Sequence, residues 1–537
     1  MGFPSLLLLA LLSTFPPDAE IRKILADRID VQKQADAIVV GVIDSSGRRL
    51  IAYGGVDGDT LFEIGSATKV FTSLLLADAV QRGEVALTDP VSKFLPAGVK
   101  VPERGGKKIT LADLATHTSG LPRLPTNFAP KDMSNPYADY TVQQLYDFLS
   151  HYELPRDIGA QYEYSNLGAG LLGHALALRA KMSYEALVRT RILDPLKMKS
   201  TAITLSDALQ KRLAAGHDPR GGIARNWDVP TLAGAGALRS SANDLLEFLS
   251  AELGLTKSPL ASAMIVQLAT RRPSGSPTLE IALGWHIFKM PSGQEIIWHN
   301  GGTGGYRSFI AFDAKKKSGV VVLSNRFTEA GVDDIGRHLL DPTAPLLQPP
   351  AARKEISVDP KVLESYAGVY ELMPNVRFNV TVENGHLFAQ LTGQPKFELF
   401  PSGEKEFFYK VVDAQITFGD DGLVLHQNGD HPAKRISRQP LVAKERKEIA
   451  LDAAVLQRYV GKYQVTPSFI ITITREDNHL FAQATAQPRF EIFPETERDF
   501  FLKVVDAQLT FVTDMAGRVS KAVLHQNGVD QDAKRME

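Results

Sequence analysis

A segment in the last third of the chain occurs twice, and this repeat limits the possible folds more than any other feature of the sequence. Three pairs of segments match at a spacing of 93 residues: Arg353-Lys-Glu-Ile356 and Arg446-Lys-Glu-Ile449, Tyr366-Ala-Gly-Val-Tyr370 and Tyr459-Val-Gly-Lys-Tyr463, and His386-Leu-Phe-Ala-Gln390 and His479-Leu-Phe-Ala-Gln483. Further along, Leu425-His-Gln-Asn-Gly429 recurs 99 residues later, so the second copy carries an insertion near Asp514. We therefore predict two tandem copies of one small domain, over residues 353–440 and 446–537.

Each copy has the pattern of an all-β domain. Short segments with alternating apolar and polar residues, such as Arg377–Glu383 and Gln415–Phe418, are separated by Gly, Asn and Asp. This spacing is typical of strands joined by hairpins, and it predicts a small barrel in each copy. Two histidines recur in both copies, at positions 386/479 and 426/525, and could be ligands. Because a shared architecture would retain them as well, we interpret them as structural.

The region before the repeat has strand patterns at both ends and helical patterns between them. Residues 37–53 and 308–325 each contain two apolar runs around a Ser-Gly turn, which is the pattern of a hairpin. Thr110 and Ser241, each followed three residues later by Asp, resemble the capping boxes that open helices. We predict an α+β domain over residues 20–340, with an antiparallel sheet flanked by helices.

Length and composition agree with a chain of several domains. At 537 residues the chain exceeds an ordinary single domain, and with 44% apolar residues it can bury a sizeable core. Four prolines lie between residues 341 and 352, the composition of a stiff linker. We place the boundary between the mixed domain and the repeat in that linker.

Composition also excludes several classes of function. Cysteine is absent, which rules out disulfides, thiol catalysis and zinc sites with cysteine ligands. The twelve histidines contain no His-Glu-x-x-His pattern, and we predict neither a catalytic metal nor another cofactor. The formal net charge of −1 gives no sign of a nucleic-acid partner.

The first residues have the pattern of a secretory signal. An apolar run from Ser5 to Phe15 has the length of a signal-peptide core and is too short to span a bilayer. No Lys or Arg precedes this run, and a buried N-terminal helix is the alternative. We predict a signal peptide over residues 1–19, and hence a secreted or periplasmic protein. No other segment is apolar enough to cross a membrane.

A lone lysine stands where an apolar helical pattern begins. In Phe62-Glu-Ile-Gly-Ser-Ala-Thr-Lys69, a small polar turn leads into the run that contains Phe71 and Leu74. Residues i and i+3 share a helix face, so Lys69 is predicted to lie next to the hydroxyl of Ser66. Serine needs a base to take its proton, and burial can lower the pKa of a lysine until it serves as that base. The N–H groups at the helix start would help to hold an oxyanion.

The same spacing occurs a second time, at Ser402-Gly-Glu-Lys405. This serine lies in a Pro-Ser-Gly turn of the first repeat, and no apolar helical pattern follows it. We interpret it as a chance match. Ser-x-x-Lys alone is therefore weak evidence, and the assignment of Ser66 needs support from other motifs.

Two other motifs carry side chains that suit the same chemistry. Tyr164-Ser-Asn166 is the only Tyr-x-Asn in the chain; its phenol could relay a proton and its amide could hold a substrate and a lysine. A helix cap at Ser165 or Asn166 is the alternative explanation. Trp298-His-Asn-Gly-Gly-Thr-Gly-Gly-Tyr306 precedes the C-terminal pair of strands. Its glycines would let a strand approach a substrate closely, and His299 could bind or protonate it, although a flexible loop would also explain the glycines.

Together the three motifs resemble those of the penicillin-recognising serine hydrolases, which include class C β-lactamases, D,D-carboxypeptidases, D-aminopeptidases and related esterases. The motifs are Ser66-Ala-Thr-Lys69, Tyr164-Ser-Asn166 and His299-Asn-Gly301, in this order. Leu114-Ala-Thr-His-Thr-Ser-Gly-Leu-Pro122 and Ala235-Gly-Ala-Leu-Arg-Ser-Ser-Ala-Asn-Asp244 resemble further stretches of the same family. The resemblance covers about residues 30–330 and implies a β-lactamase-like catalytic domain, followed by the two barrels.

The resemblance also implies catalytic roles. Ser66 would be acylated, and Lys69 and Tyr164 would move its proton to the leaving group. Asn166 would orient the substrate amide and Lys69. The backbone N–H groups of Ser66 and Gly302 would form the oxyanion hole, where one lost donor costs roughly a hundred- to thousandfold in rate.

The residues implied for substrate binding are Asn166, His299, Gly301 and Gly302. His299 stands where class C β-lactamases carry lysine and where some D,D-peptidases and D-aminopeptidases carry histidine, which lowers the case for an efficient β-lactamase. Many D,D-peptidases have a hydroxyl residue next, and this chain has Asn300, so strict carboxypeptidase specificity is in doubt. Arg307 is a less favoured candidate to bind a substrate carboxylate in its place.

The resemblance thus implies a serine hydrolase that works through an acyl-enzyme on small molecules or short peptides, with D-amino-acid-containing peptides as the leading class. A β-lactamase of modest efficiency and a carboxylesterase would use the same residues. A penicillin-binding sensor, from a different class of function, would be acylated but would hardly turn over, because deacylation depends on the placement of one water molecule.

Overall fold

The hairpins predicted at the two ends of the first region lie side by side in one sheet. In the computed structural model, Ile38–Asp44 pairs antiparallel with Ser318–Ser324. The structure describes residues 13–290, 292–328, 330–347, 355–373, 376–392, 394, 396–410, 414–427, 429–441, 446–466, 469–485, 489–503, 507–514, 517–526 and 529–536. The chain divides into two compact units, unit 1 up to residue 349 and unit 2 from residue 350.

Unit 1 mixes helices and strands. Its helices are α1 (Asp18–Ala26), α2 (Thr68–Gln81), α3 (Leu111–Ala115), α4 (Val142–His151), α5 (Asn166–Ala180), α6 (Tyr184–Val188), α7 (Asp207–Gln210), α8 (Ala242–Glu252), α9 (Ala261–Ala269) and α10 (Asp333–Leu340). Its strands are β1 (Ile38–Asp44), β2 (Gly47–Tyr53), β3 (Leu61–Glu63), β4 (Glu103–Arg104), β5 (Lys107–Lys108), β6 (Arg239–Ser241), β7 (Arg272–Pro273), β8 (Leu279–Ile281), β9 (His286–Lys289), β10 (Glu295–Gly302), β11 (Arg307–Asp313) and β12 (Ser318–Ser324). Turns of 3-10 helix lie at Gly65–Ala67, Val91–Phe94 and Ala233–Ala235, and turns of π-helix at Asp27–Val31 and Arg189–Leu193.

Eight strands form one sheet in the order β2-β1-β12-β11-β10-β9-β8-β7. All residues of β1 and β12 are buried, because helices cover both faces. On one face Val39 and Ile43 join a core that includes α2 and α8, and on the other Val40 and Val42 join a core that includes α1 and α10. The predicted α+β fold, an antiparallel sheet flanked by helices, is confirmed.

A small two-stranded sheet leads to the site described below. β3 pairs antiparallel with β6. The turn Gly65–Ala67 follows β3, and the turn Ala233–Ala235 precedes β6. Helix starts near these elements follow the sequence pattern, since Thr110 and Asp113 form a reciprocal capping box at α3 and Ser241 caps α8.

Unit 2 consists of two closed eight-stranded barrels, which confirms the predicted tandem all-β barrels. The first follows α11 (Pro360–Tyr366) and contains β13 (Gly368–Met373), β14 (Val376–Glu383), β15 (His386–Leu391), β16 (Lys396–Pro401), β17 (Glu406–Phe408), β18 (Gln415–Phe418), β19 (Gly422–His426) and β20 (Asp430–Ser437). The second follows α12 (Ala453–Gln457) and contains β21 (Gly461–Thr466), β22 (Phe469–Glu476), β23 (His479–Ala484), β24 (Arg489–Pro494), β25 (Asp499–Phe501), β26 (Ala507–Thr513), β27 (Val519–Gln526) and β28 (Val529–Arg535). The extra residues of the second copy lengthen the β26–β27 hairpin relative to β18–β19.

The predicted signal peptide falls partly outside the described residues, which begin at Ser13. Ser13 Oγ and the N–H of Thr14 donate to a carboxylate oxygen of Asp44 at 2.8 and 2.9 Å, and Phe15 is buried. Cleavage after residue 19 would remove these contacts. Within the part of the chain that the structure describes, no helix has both the length and the apolar character needed to cross a bilayer.

Candidate active site

Ser66 lies in a tight turn between β3 and α2. Gly65, the first residue of the turn, has φ of +48°, a conformation that favours glycine. A Cβ at Gly65 would also lie 2.7 Å from the backbone nitrogen of Gly302. The turn brings the Nζ of Lys69 to 3.0 Å from the Oγ of Ser66, so the structure places the two residues in contact, as their spacing predicts.

The amine of Lys69 is buried and has three partners. Its Nζ lies 3.0 Å from Ser66 Oγ, 2.9 Å from Asn166 Oδ1 and 2.7 Å from the carbonyl oxygen of Ala235. Carbonyl oxygens only accept hydrogen bonds. A neutral amine has two N–H groups and one lone pair, so it can donate to both carbonyl oxygens and direct the lone pair at the hydroxyl of Ser66. The contacts therefore suit an uncharged lysine that accepts a proton from serine.

Two physical causes favour the uncharged form. Burial, and to a smaller extent the charge of Arg123, lower the pKa of Lys69 well below its ordinary value. Asn166, Ala235 and the ring of Tyr164 surround the amine.

Tyr164 lies against the same two residues. Its ring centroid is 4.8 Å from the Nζ of Lys69, and Ser66 lies near enough to lower the pKa of its phenol. Burial raises the pKa of Tyr164, although the nearby hydroxyl of Ser66 acts in the opposite direction. The phenol therefore keeps its proton at neutral pH, and Lys69 is the better base of the two.

Asn166 is the first residue of α5, and its motif both caps the helix and contacts Lys69. Ser165 caps the helix by accepting from the N–H of Gly168 at 2.8 Å. Asn166 also bonds Lys69 through Oδ1 and donates from Nδ2 to the hydroxyl of Tyr137 at 2.9 Å. The helix start thus fixes the amide that holds the lysine.

Three residues at the site were not singled out from the sequence. His117 packs its ring 4.7 Å from that of Tyr164 and accepts from the N–H of Ser165 at 3.2 Å; it lies in the stretch Leu114–Pro122, where the family resemblance was the only signal. Tyr137 lies in a segment without helical or strand periodicity. Ala235 acts through its backbone carbonyl, which no side-chain pattern can show.

The end of β10 lies close to the Ser66 turn. A Cβ at Gly301 would be 1.9 Å from the carbonyl oxygen of Ile64, so only glycine allows this approach. The structure thus brings Gly301 and Gly302 to the turn that carries Ser66.

His299, on the same strand, is buried and uncharged. Its Nδ1 lies 2.6 Å from the carbonyl oxygen of Asn300, and because that oxygen can only accept, Nδ1 carries the hydrogen. Burial lowers the pKa of His299 well below its ordinary value. Its Nε2 has no hydrogen-bond partner among the described residues. In this state His299 carries a hydrogen-bond acceptor at Nε2 rather than a positive charge.

The neighbours of His299 are occupied elsewhere. Asn300 donates from Nδ2 to Asp333 at 2.6 Å. Arg307 donates from Nε to the carbonyl oxygen of Thr328 at 2.6 Å and stacks over the ring of Phe327.

The second Ser-x-x-Lys does not form a comparable pair. Ser402 donates from its Oγ to the carbonyl oxygen of Glu406 at 3.3 Å, whereas Lys405 contacts Asp420 at 3.4 Å on the surface. The duplicated histidines bond neighbouring strands: His386 contacts Glu398, and the Nε2 of His426 contacts the hydroxyl of Thr417.

Comparison with known proteins agrees with this geometry. A family model described as "Beta-lactamase" matches residues 19–344. A second, described as "Domain of unknown function (DUF3471)", matches residues 352–427 and again residues 445–536, the two barrels. The D-alanyl-D-alanine-carboxypeptidase/endopeptidase AmpH of Escherichia coli (strain K12) is 31% identical over 324 residues, which are 56% of this chain and 82% of AmpH. Penicillin-binding protein 4* of Bacillus subtilis (strain 168) is 26% identical over 407 residues, covering 69% of this chain and 86% of the relative.

Solved structures show the same fold. A beta-lactamase/D-alanine carboxypeptidase from Yersinia pestis, complexed with citrate, superposes with a TM-score of 0.54 at 26% identity and covers 61% of this chain and 97% of that one. A class C beta-lactamase from Rhodobacter sphaeroides superposes with a TM-score of 0.50 at 28% identity, over 58% and 95% of the two chains. Because the family model spans more than half of the sequence, the chain belongs to the beta-lactamase family of serine hydrolases.

Proposed function

We propose that the chain is a D-stereospecific peptidase that forms an acyl-enzyme on Ser66. The proposal rests on one observation above all: the buried amine of Lys69 lies 3.0 Å from the hydroxyl of Ser66 while two carbonyl oxygens accept its N–H groups. The names of two relatives, a D-alanyl-D-alanine-carboxypeptidase/endopeptidase and a beta-lactamase/D-alanine carboxypeptidase, support peptides that end in D-alanine as substrates.

In the acylation step, the Oγ of Ser66 bonds to the substrate carbonyl carbon as its proton passes to the Nζ of Lys69. The backbone N–H groups of Ser66 and Gly302 hold the oxyanion that forms. The protonated phenol of Tyr164 gives its proton to the leaving amine and recovers one from Lys69. The carbon–nitrogen bond breaks, the amine leaves, and the acyl group stays on Ser66 until water hydrolyses the ester.

Asn166 and β10 would position the substrate. The amide of Asn166 holds Lys69 and lies beside the reacting hydroxyl, and Gly301 lets the end of β10 lie close to it. The neutral imidazole of His299 offers an acceptor for an N–H or O–H group of the substrate. We also propose export of the protein, from the apolar run at residues 5–15.

The alternative from another class is a penicillin-binding sensor. The name of the Bacillus subtilis relative, a penicillin-binding protein, supports acylation but not turnover. Burst kinetics separate the two: one equivalent of product followed by no further release supports the sensor, and continued release supports the peptidase. A β-lactamase or an esterase would show continued release with a penicillin or a simple ester instead.

The decisive experiment is mass spectrometry after incubation with benzylpenicillin and with an acetylated peptide that ends in D-alanyl-D-alanine. We expect an adduct on Ser66. Replacement Ser66→Ala should lower hydrolysis by roughly a thousandfold or more, and Ser402→Ala, in the matching but exposed Ser-x-x-Lys, should leave it unchanged. The reverse pattern would overturn the assignment of the nucleophile.

A further inference from the structure

Arg123 lies beside the reacting groups but takes no part in the steps above. Its guanidinium carbon is 5.2 Å from the ring centroid of Tyr164, the residue whose ring lies 4.8 Å from the Nζ of Lys69. The backbone of Arg123 is fixed, since its carbonyl oxygen accepts from the N–H groups of Asn166 and Leu167 at 3.0 and 3.2 Å. The residue is exposed, so a molecule bound at Ser66 would meet this charge.

The charge of Arg123 has no ion-pair partner in the described part of unit 1. Among the residues that the structure describes, no carboxylate lies within ion-pair distance of its guanidinium. Other arginines of the unit have such partners: Arg239 contacts Glu63 at 3.1 Å. The charge of Arg123 lowers the pKa of both Lys69 and Tyr164. Arg123 therefore places a positive charge beside Tyr164 that has no carboxylate paired to it among the described residues.

The other basic groups of the site cannot supply this charge. The amine of Lys69 is uncharged in the form that accepts a proton. His299 carries its hydrogen on Nδ1, bonded to the carbonyl oxygen of Asn300, so its Nε2 presents a lone pair and would repel an anion. A substrate anion would thus find its positive partner at Arg123.

We propose that Arg123 is a specificity-determining residue that binds a carboxylate of the substrate, so that the site prefers anionic substrates to matched neutral ones. The inference rests on the proposed function, since it takes Ser66 as the nucleophile. A guanidinium suits this role because its planar fork binds a carboxylate through two N–H groups. The contact with the Tyr164 ring holds the guanidinium plane and leaves N–H groups free for a ligand.

The carboxylate can come from two parts of a peptide, and two pairs of substrates distinguish them. The first pair is acetyl-Glu-D-Ala-D-Ala and acetyl-Gln-D-Ala-D-Ala, which differ in a side chain before the scissile bond. The second pair is acetyl-Gln-D-Ala-D-Ala and its C-terminal amide, which differ at the leaving group. Benzylpenicillin and its methyl ester form a third pair, read as the rate of adduct formation on Ser66.

The measured quantity is the ratio of the rate for the member with the additional carboxylate to the rate for the member without it. This rate is kcat/KM for the two peptide pairs and the rate of adduct formation for the penicillin pair. Replacement Arg123→Gln should lower this ratio roughly tenfold in at least one pair, and Arg123→Lys should retain part of it. Added salt should lower the ratio in the wild type but hardly in Arg123→Gln. The control is Arg179→Gln, an exposed arginine at the far end of α5, which should leave the ratio unchanged.

The outcomes separate the two proposals. An Arg123→Gln protein that still forms the Ser66 adduct with the neutral probe, and whose ratios equal those of the wild type in all three pairs, overturns the role of Arg123 alone. Failure of every probe to modify Ser66 in the wild type overturns the proposed function, and the inference with it. A fall of the ratio in one pair supports the inference and identifies which carboxylate is bound.

Discussion

Lys69 has to be uncharged in the folded protein, although an exposed lysine is charged at neutral pH. Its folded-state pKa is lowered, mainly by burial, while the unfolded chain titrates near the ordinary value of 10.5. Between these two pKa values, unfolding takes up one proton, so the free energy of unfolding increases as pH increases. Below the lower pKa both states are charged, and this dependence ends.

The replacement Lys69→Met tests this reasoning. It removes the titrating group, so the wild type should gain stability relative to the variant as pH rises from 7 to 10, by up to about 1.4 kcal/mol per pH unit. Urea unfolding followed by tryptophan fluorescence measures the difference, because Trp227, Trp285 and Trp298 are the three tryptophans of the chain and all lie in unit 1.

A stability difference that stays constant over this pH range would mean that the amine is an ammonium in the folded state, and the proposed base would then be wrong. The variant should also lose hydrolysis at every pH.

At the scale of helices and strands, sequence patterns predicted the features that depend on residues close together in the chain. The hairpins β1–β2 and β11–β12 and the capping box at Thr110 follow from local periodicity and turn residues, and the structure contains them. The approach of β10 to the Ser66 turn could not be predicted in this way, because it joins segments more than 200 residues apart in the chain. The carbonyl of Ala235 was missed for the same reason: its role depends on tertiary packing and not on its side chain.

The contact between β10 and the turn leads to a prediction for Gly301→Ala. The added methyl would lie 1.9 Å from the carbonyl oxygen of Ile64 and 2.5 Å from the Oγ of Ser308, so the strand has to move away from the turn. The backbone N–H of Gly302 would then leave the position proposed for it in the oxyanion hole. We expect acylation of Ser66 by benzylpenicillin to slow roughly a hundred- to thousandfold, as measured by mass spectrometry over time.

The matched control is Gly419→Ala in the first barrel, where a Cβ would meet nothing nearer than the carbonyl oxygen of Gly422 at 3.7 Å. Its acylation rate should equal that of the wild type. A Gly301→Ala protein with native tryptophan fluorescence and an undiminished rate would show that the close approach is not needed for catalysis.

At the scale of the whole molecule, the duplication predicted two copies of one domain, and the alternating segments within each copy predicted a barrel. Identical segments at a constant offset define a unit that folds twice, and the two cores indeed match residue by residue. Phe418 packs against Tyr366, Tyr370 and Phe407. Phe511 packs against the equivalent residues Tyr459, Tyr463 and Phe500. The number of strands was not predictable, because segments as short as Glu406–Phe408 carry too little pattern.

Because the two barrel cores match, we expect equivalent core substitutions to destabilise the two barrels equally. Phe418→Ala and Phe511→Ala each remove a fully buried ring, and each should lower the free energy of unfolding of its own barrel by about 3–5 kcal/mol. Since the chain forms two compact units divided at residue 349, neither change should shift the unfolding of unit 1 seen by tryptophan fluorescence. Hydrogen exchange, resolved by peptide, should show faster exchange in the substituted barrel.

As controls, Phe388→Ala and Phe481→Ala remove equivalent half-buried rings and should lower the free energy of unfolding of their barrels by less. An equal shift of the tryptophan transition would contradict independent unfolding of the two units, and unequal losses in the two barrels would show that the copies have diverged in packing despite their shared sequence.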